Sequence, residues 1–110
     1  MKKEDKIYLA GHTGLVGSAI LRKIQAEGFE NILTMNFSEL DLCNQAQVEA
    51  FFEKERPDYV ILAAAKVGGI FANSTYPGDF IYQNLMIATN VLNSAYKNGV
   101  KKLLNLGIGT

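Results

Sequence analysis

The sequence predicts an α/β fold, with about four parallel strands and helices on both faces of the sheet. Three observations predict it. Short apolar runs alternate with longer stretches of helical spacing, in the order strand, helix, strand, helix, strand, long helix, strand. The runs at 7–10 and 59–63 are apolar without alternation, which suits strands covered on both faces. Glycines at 11, 14 and 17 separate the first strand from the first helix, a place where the chain must turn sharply.

Each element follows from its own residues. After the 7–10 strand and its glycines, Leu15, Val16, Ala19, Ile20 and Ile24 supply apolar positions at one-turn spacing, and Gly28 stops the helix. Residues 31–35 form a second short apolar segment. Asp41 is placed to cap a helix over 44–54, whose apolar material is Ala46, Val48, Ala50, Phe51 and Phe52; Pro57 ends that stretch. The third strand is 59–63. Residues 66–76, with two adjacent glycines, Asn73, Ser74 and Thr75, read as a loop. Pro77 and Asp79 open a long helix to about Asn98, with Ile81, Leu85, Ala88, Leu92 and Ala95 as one stripe. Gly99 closes it, Lys97 suits its negative end, and 103–106 is the last strand.

The 110 residues suffice for one domain. A composition of 48% hydrophobic and 20% charged residues argues against disorder. Eleven basic residues balance eleven acidic ones, so there is no field to gather nucleic acid. Lys2, Lys3 and Lys6 are interleaved with Glu4 and Asp5 and read as a solvated tail. No apolar run approaches the ~20 residues of a membrane span, and no membrane or nucleic-acid partner is expected. Cys43 is the only cysteine, which excludes an intrachain disulfide or multi-thiolate metal site and fits a cytoplasmic location.

The glycine pattern G-x-x-G-x-x-G, set between strand and helix, points to a dinucleotide. One glycine turns the chain, one admits a pyrophosphate to the backbone, and one lets the helix pack closely. The helix aims free N–H groups and roughly half a positive charge at the phosphates. The fold is then a partial Rossmann (doubly wound) fold. Asp41 and Leu42 are placed to meet an adenine, Asp41 at its edge and Leu42 on its ring, although Asp41 also serves as a helix cap. The positions after strand two that read the ribose are Met35, Asn36, Phe37 and Ser38; none is charged, so the choice between NAD and NADP stays open. Ala63, Ala64 and Ala65 are small residues at a strand's carboxyl end that leave room for a ligand or simply pack closely. Lys66 meets phosphate or solvent. His12 lies in the phosphate loop without a Ser or Cys partner nearby. Cys43 packs at a helix start.

Three stretches, 10–20, 62–70 and 73–84, together resemble the N-terminal part of the GDP-L-fucose synthase family, a group of extended short-chain dehydrogenases/reductases. The resemblance runs from Lys6 to about Gly107. It implies an enzyme that epimerises and reduces GDP-4-keto-6-deoxymannose to GDP-L-fucose with NADPH or NADH. The implied cofactor contacts are Gly11, His12, Thr13, Gly14, Leu15, Val16, Gly17, Asp41, Leu42, Ala63, Ala64 and Ala65. It also implies a nucleotide-sugar substrate and a homodimer formed through the long helix. Thr13 and Phe37 stand where the family's NADP users tend to carry arginines. Ile108 stands at the family's catalytic serine position, and no Tyr-x-x-x-Lys pair occurs. Residues 1–110 are therefore expected to be the N-terminal part of a dinucleotide-binding domain. No catalytic or metal-binding residue and no substrate domain are expected in it. Alone the chain would bind nucleotide at most, and its apolar last strand and half-complete helix pair would make it self-associate. The alternatives are another NAD-dependent nucleotide-sugar epimerase or dehydratase, or a non-catalytic nucleotide-binding remnant.

Overall fold

The computed structural model describes residues 2–64 and 77–106, with 77–81 described by backbone alone. In chain order the elements are β1 (Ile7–Ala10), α1 (Leu15–Ala26), β2 (Ile32–Leu33), α2 (Gln45–Glu55), β3 (Tyr59–Leu62), α3 (Pro77–Lys97) and β4 (Lys102–Asn105). All strand pairs are parallel, in the order β2-β1-β3-β4. The chain steps outward from β1 to β2 and then returns across β1 to β3. That reversal opens a crevice at the carboxyl ends of β1 and β3, where doubly wound sheets hold their ligands.

Alternate strand residues face opposite layers. Tyr8, Ala10, Val60 and Leu62 share one core with Val48, Phe51 and Phe52 of α2 and Ile87, Ala88, Val91 and Ala95 of α3. Ile7 faces the other way and joins Ile24 and Phe29, with Ile20, Ile32, Tyr59 and Ile61 packed against them. The larger core is anchored by three rings. Tyr8 lies 4.7 Å from Phe51 and 5.9 Å from Phe52, and the two phenylalanines meet edge-on at 5.6 Å, distances in the favourable range for tilted aromatic pairs.

Several expectations need correction. The second strand is only two residues long, because pairing stops at Tyr8↔Leu33 and the chain then leaves the sheet. The third ends at Leu62, and Tyr59 and Ile61 are only half-buried on the α1 side. The fourth starts at Lys102, since its limits follow backbone pairing with Tyr59 to Leu62 and not side-chain polarity. Leu15 and Val16 do not face the core: they are 89% and 56% exposed, while Gly17 and Ile24 are buried. A glycine occupies the inward position of the first turn, so the apolar neighbours point away.

The stripe expected on α3 divides. Ala88 and Ala95 turn inward with Asn84, Ile87, Val91 and Ser94, whereas Leu85 and Leu92 join Tyr82 and Tyr96 on an exposed row. Small side chains at 88 and 95 let the helix lie close to the sheet, which leaves the bulky leucines on its flank. The side chain of Ile81 and the loop expected at 66–76 lie outside the described residues.

The first residues are no loose tail. Lys3 Nζ donates to the Glu27 carbonyl that ends α1 and sits 4.4 Å from the Phe29 ring centre. Lys6 Nζ donates to the Glu55 carbonyl at 2.9 Å and pairs with its carboxylate at 3.3 Å. Both ammonium groups thus meet the negative ends of helices. Asp58 accepts from Lys6 N at 2.8 Å and ties this segment to the start of β3.

Asp41 does not cap α2 either. The cap is Asn44, whose side chain accepts from Gln47 N at 3.1 Å, while the Asp41 carboxylate accepts from Cys43 N at 3.0 Å in a local turn. Asn44 stands immediately before the helix, and Asp41 is three residues too early. Gly28 and Gly99 close α1 and α3 as expected, both with positive φ. Asn44→Ala should cost about 1 kcal/mol of stability, and Asp41→Ala should cost less. Urea denaturation of the two variants, side by side, checks the assignment.

Candidate functional site

A pocket of about 280 Å³ lies at the crevice between β1 and β3. Its first wall is the loop after β1. Gly11 has φ +90°, and a Cβ added there would lie 2.6 Å from Ala64 N. Only glycine lets the end of β1 turn while lying this close to the end of β3. Gly14 N donates to Gly11 O at 3.2 Å, and Ser18 N donates to Gly14 O at 2.8 Å, which starts α1. A Cβ on Gly17 would fall 1.8 Å from Gly11 O, so α1 is seated directly on the loop. Gly14 differs: a Cβ there would meet nothing nearer than Gly11 O at 3.6 Å. Its free side borders the pocket.

Gly14 is also the residue that begins α1. It supplies no capping side chain, and the first turn carries no acidic residue. The N–H groups of that turn have no partner inside the helix, and their partial positive charge is not offset by a local carboxylate. His12 lines the same wall, and its Nδ1 is buried without a hydrogen-bond partner among the described residues. Free N–H groups, an orphaned ring nitrogen and open space over Gly14 fit an anion of pyrophosphate size.

The opposite wall comes from the chain beyond β2, where Met35, Asn36, Phe37, Leu40 and Leu42 line the pocket. Glu39 N and Leu40 N both donate to Asn36 O at 2.9 Å, and Asn36 N donates to Glu39 Oε1 at 3.0 Å. Leu42 is held from α3, where Asn90 Nδ2 donates to its carbonyl at 2.9 Å. Tyr8, Ala63, Ala64 and Ile87 complete the lining. Tyr8 is almost wholly buried, and burial pushes its phenol well above the ordinary range.

The expected contacts therefore separate. Gly11, His12, Thr13, Gly14, Leu42, Ala63 and Ala64 line one pocket. Leu15, Val16 and Gly17 form the first turn of α1 behind it. Asp41 stands one residue from the lining, with its carboxylate turned to Cys43 N. Ala65 lies outside the described residues, as do Lys66 and Ile108. Tyr8, Leu40 and Ile87 were not foreseen. Nothing in the sequence pattern singled out Tyr8, which shares the facing of Ala10.

The family described as "NAD dependent epimerase/dehydratase family" matches residues 7–108. The chain belongs to that family. Among curated relatives of this epimerase/dehydratase chain, it is 65% identical over 105 residues to GDP-L-fucose synthase 1 of Arabidopsis thaliana, covering 96% of this chain and 32% of that protein. Two solved structures are also similar. One is MlghC, a GDP-mannoheptose C4 reductase from Campylobacter jejuni with NADP bound: TM-score 0.90, 45% identity, 96% of this chain and 33% of that one. The other is a GDP-L-fucose synthetase from Naegleria fowleri bound to NADP: TM-score 0.83, 33% identity, 96% of this chain and 34% of that one. The chain thus spans about a third of the length of the curated relatives it matches. No helix among the described residues is long and apolar enough to cross a membrane.

Two outcomes test this reading of the epimerase/dehydratase chain. Gly17→Ala should destabilise it by about 1–3 kcal/mol or more, because backbone blocks the new methyl; chemical denaturation measures the loss. Tyr8 gives a pH signature. An unfolded tyrosine ionises near pH ~10, whereas folding holds Tyr8 protonated above that. The stabilising effect is complete below about pH 10 and is lost as pH rises toward the folded value. Stability should fall above about pH 10, and Tyr8→Phe should flatten the fall.

Proposed function

We propose that residues 1–110 are the N-terminal, dinucleotide-binding part of an enzyme that epimerises and reduces GDP-4-keto-6-deoxymannose to GDP-L-fucose. The observation that carries it is the 65% identity over 105 residues to GDP-L-fucose synthase 1, in a chain whose pocket suits a dinucleotide. When bound, the nicotinamide dinucleotide supplies a hydride to the sugar carbonyl. The residues here bind and orient. The first turn of α1, from Gly14 through Leu15, Val16 and Gly17, holds the pyrophosphate with its N–H groups. His12 and Thr13 flank it. Leu42 lies under the adenine, with Asp41 at its edge, and Ala63, Ala64 and Ala65 leave room beyond β3. No residue of this chain acts as the catalytic acid or base, and the sugar-binding domain lies outside these residues.

In this reading the protein is a cytoplasmic homodimer paired through the exposed row Tyr82, Leu85, Leu92 and Tyr96 of α3. The lone Cys43 suits a reducing compartment, and an apolar row of that length suits burial against a second copy. A second reading keeps the cofactor site and changes the sugar to a GDP-linked heptose. It is supported by the 45% identity to the Campylobacter jejuni C4 reductase.

Binding and turnover are tested separately. Gly14→Asp is the binding variant, since aspartate is a favourable helix cap and its carboxylate enters the space meant for phosphate. The variant should melt no lower than wild type, yet bind NAD(H) and NADP(H) about tenfold more weakly or worse, which is ~1.4 kcal/mol. Calorimetry measures this, and equal affinities would sink the site. The isolated chain should give no GDP-L-fucose above a no-protein control. Residues 6–106 grafted in place of the matching residues of GDP-L-fucose synthase 1 should support its formation. Turnover of the GDP-heptose substrate alone by the graft would favour the second reading.

A further inference from the structure

The end of the pocket beyond β2 is built from neutral groups with a carboxylate fixed behind them, and we propose that this protein binds NADH at least as tightly as NADPH. The inference rests on the dinucleotide reading above and concerns its ribose end. The two cofactors differ by one phosphate on the adenosine ribose, which adds about −1.5 to −2 charge at neutral pH. A site that selects it supplies a cation, whereas a site that selects the hydroxyl supplies a carboxylate. With the pyrophosphate at the start of α1 and the adenine over Leu42, the ribose lies between Thr13 and the chain leaving β2. The residues standing there are Thr13, Asn36 and Phe37, none of them charged. Phe37 is 65% exposed at the rim and presents a ring where a guanidinium would clasp phosphate.

The charge that is held at this end is negative. Glu39 Oε1 accepts from Asn36 N at 3.0 Å, which fixes the carboxylate one hydrogen bond from backbone that lines the pocket. A fixed carboxylate repels a second phosphate through space and leaves a hydroxyl unaffected. The two solved relatives described above hold NADP.

The test compares dissociation constants for NADH and NADPH by calorimetry, at low and high salt. The expected ratio lies within about threefold of unity or favours NADH, given that each tenfold requires ~1.4 kcal/mol. Rising ionic strength should shift the ratio toward NADPH, because salt screens the repulsion from Glu39. Phe37→Arg should improve NADPH relative to NADH about tenfold through a charge-assisted hydrogen bond. Glu39→Gln, which keeps an acceptor for Asn36 N, should shift the ratio the same way by a smaller factor. A wild-type preference for NADPH of tenfold or more, weakening as salt rises, would overturn the inference while leaving the dinucleotide site standing. So would a ratio unmoved by both variants. Binding of neither cofactor would overturn the dinucleotide reading and this inference with it.

Discussion

Three backbone segments meet at the carboxyl end of the sheet with no room for a single extra methyl. Gly11 lies against Ala64, and Gly17 lies against Gly11. The first approach joins the loop after β1 to the end of β3, across the point where the strand order reverses. The second seats α1 on that loop and so fixes the direction in which its first-turn N–H groups point. The pocket is a consequence of both. Its one unfilled glycine position, Gly14, faces outward because the other two face protein. Glycine is therefore required at 11 and 17 by the fold itself, whereas the fold leaves room for a side chain at 14.

The two faces of the sheet are secured differently. On one side the rings of Tyr8, Phe51 and Phe52 interlock under α2 and α3, and Tyr8 and Ile87 from this core also form part of the pocket lining. Pocket and core are thus continuous, and a change in packing there reaches the pocket wall. On the other side α1 covers a smaller cluster around Ile7, Ile24 and Phe29. That side is supplemented by Lys3, which spans from the Phe29 ring to the Glu27 carbonyl at the end of α1. Lys6 does the same for α2 at Glu55. Alternating charges at the start of the chain look like a solvated segment when read alone. They order because two helix ends present carbonyls in need of donors.

What was legible in the sequence follows from which physical requirement is local. Strand–helix alternation and the glycine loop are local, and they led to the parallel sheet and to Gly11, His12, Thr13 and Gly14 as pocket residues. Leu42, Ala63 and Ala64 were legible because they sit at strand ends or just before a helix, where this topology places its crevice. Tyr8, Leu40 and Ile87 were not, since their presence in the lining depends on how three separate elements converge. The helix cap was misplaced because Asp41 and Asn44 are both good capping types, and only the position of the first helical turn separates them. Leu15 and Val16 carry a helical apolar pattern, yet Gly17 takes the inward place for a reason that spacing does not encode.

The long helix shows the same limit from the other side. Its apolar residues read as one stripe, but they form two. Ile87, Ala88, Val91 and Ala95 meet the sheet, and Tyr82, Leu85, Leu92 and Tyr96 do not. A helix serving only the sheet would carry polar residues on its outer row, because one apolar stripe is enough to dock it. Here the outer row carries two leucines and two tyrosines beside the exposed Thr89 and Asn93. Tyrosine combines a large apolar ring with a hydroxyl that tolerates water, the balance found at surfaces that pass between solvent and partner. Leu104, 54% exposed on the edge strand β4, adds a second apolar surplus beyond what these residues need among themselves. The described surface thus carries two distinct features: a crevice lined by the glycine loop, and exposed apolar side chains on α3 and β4.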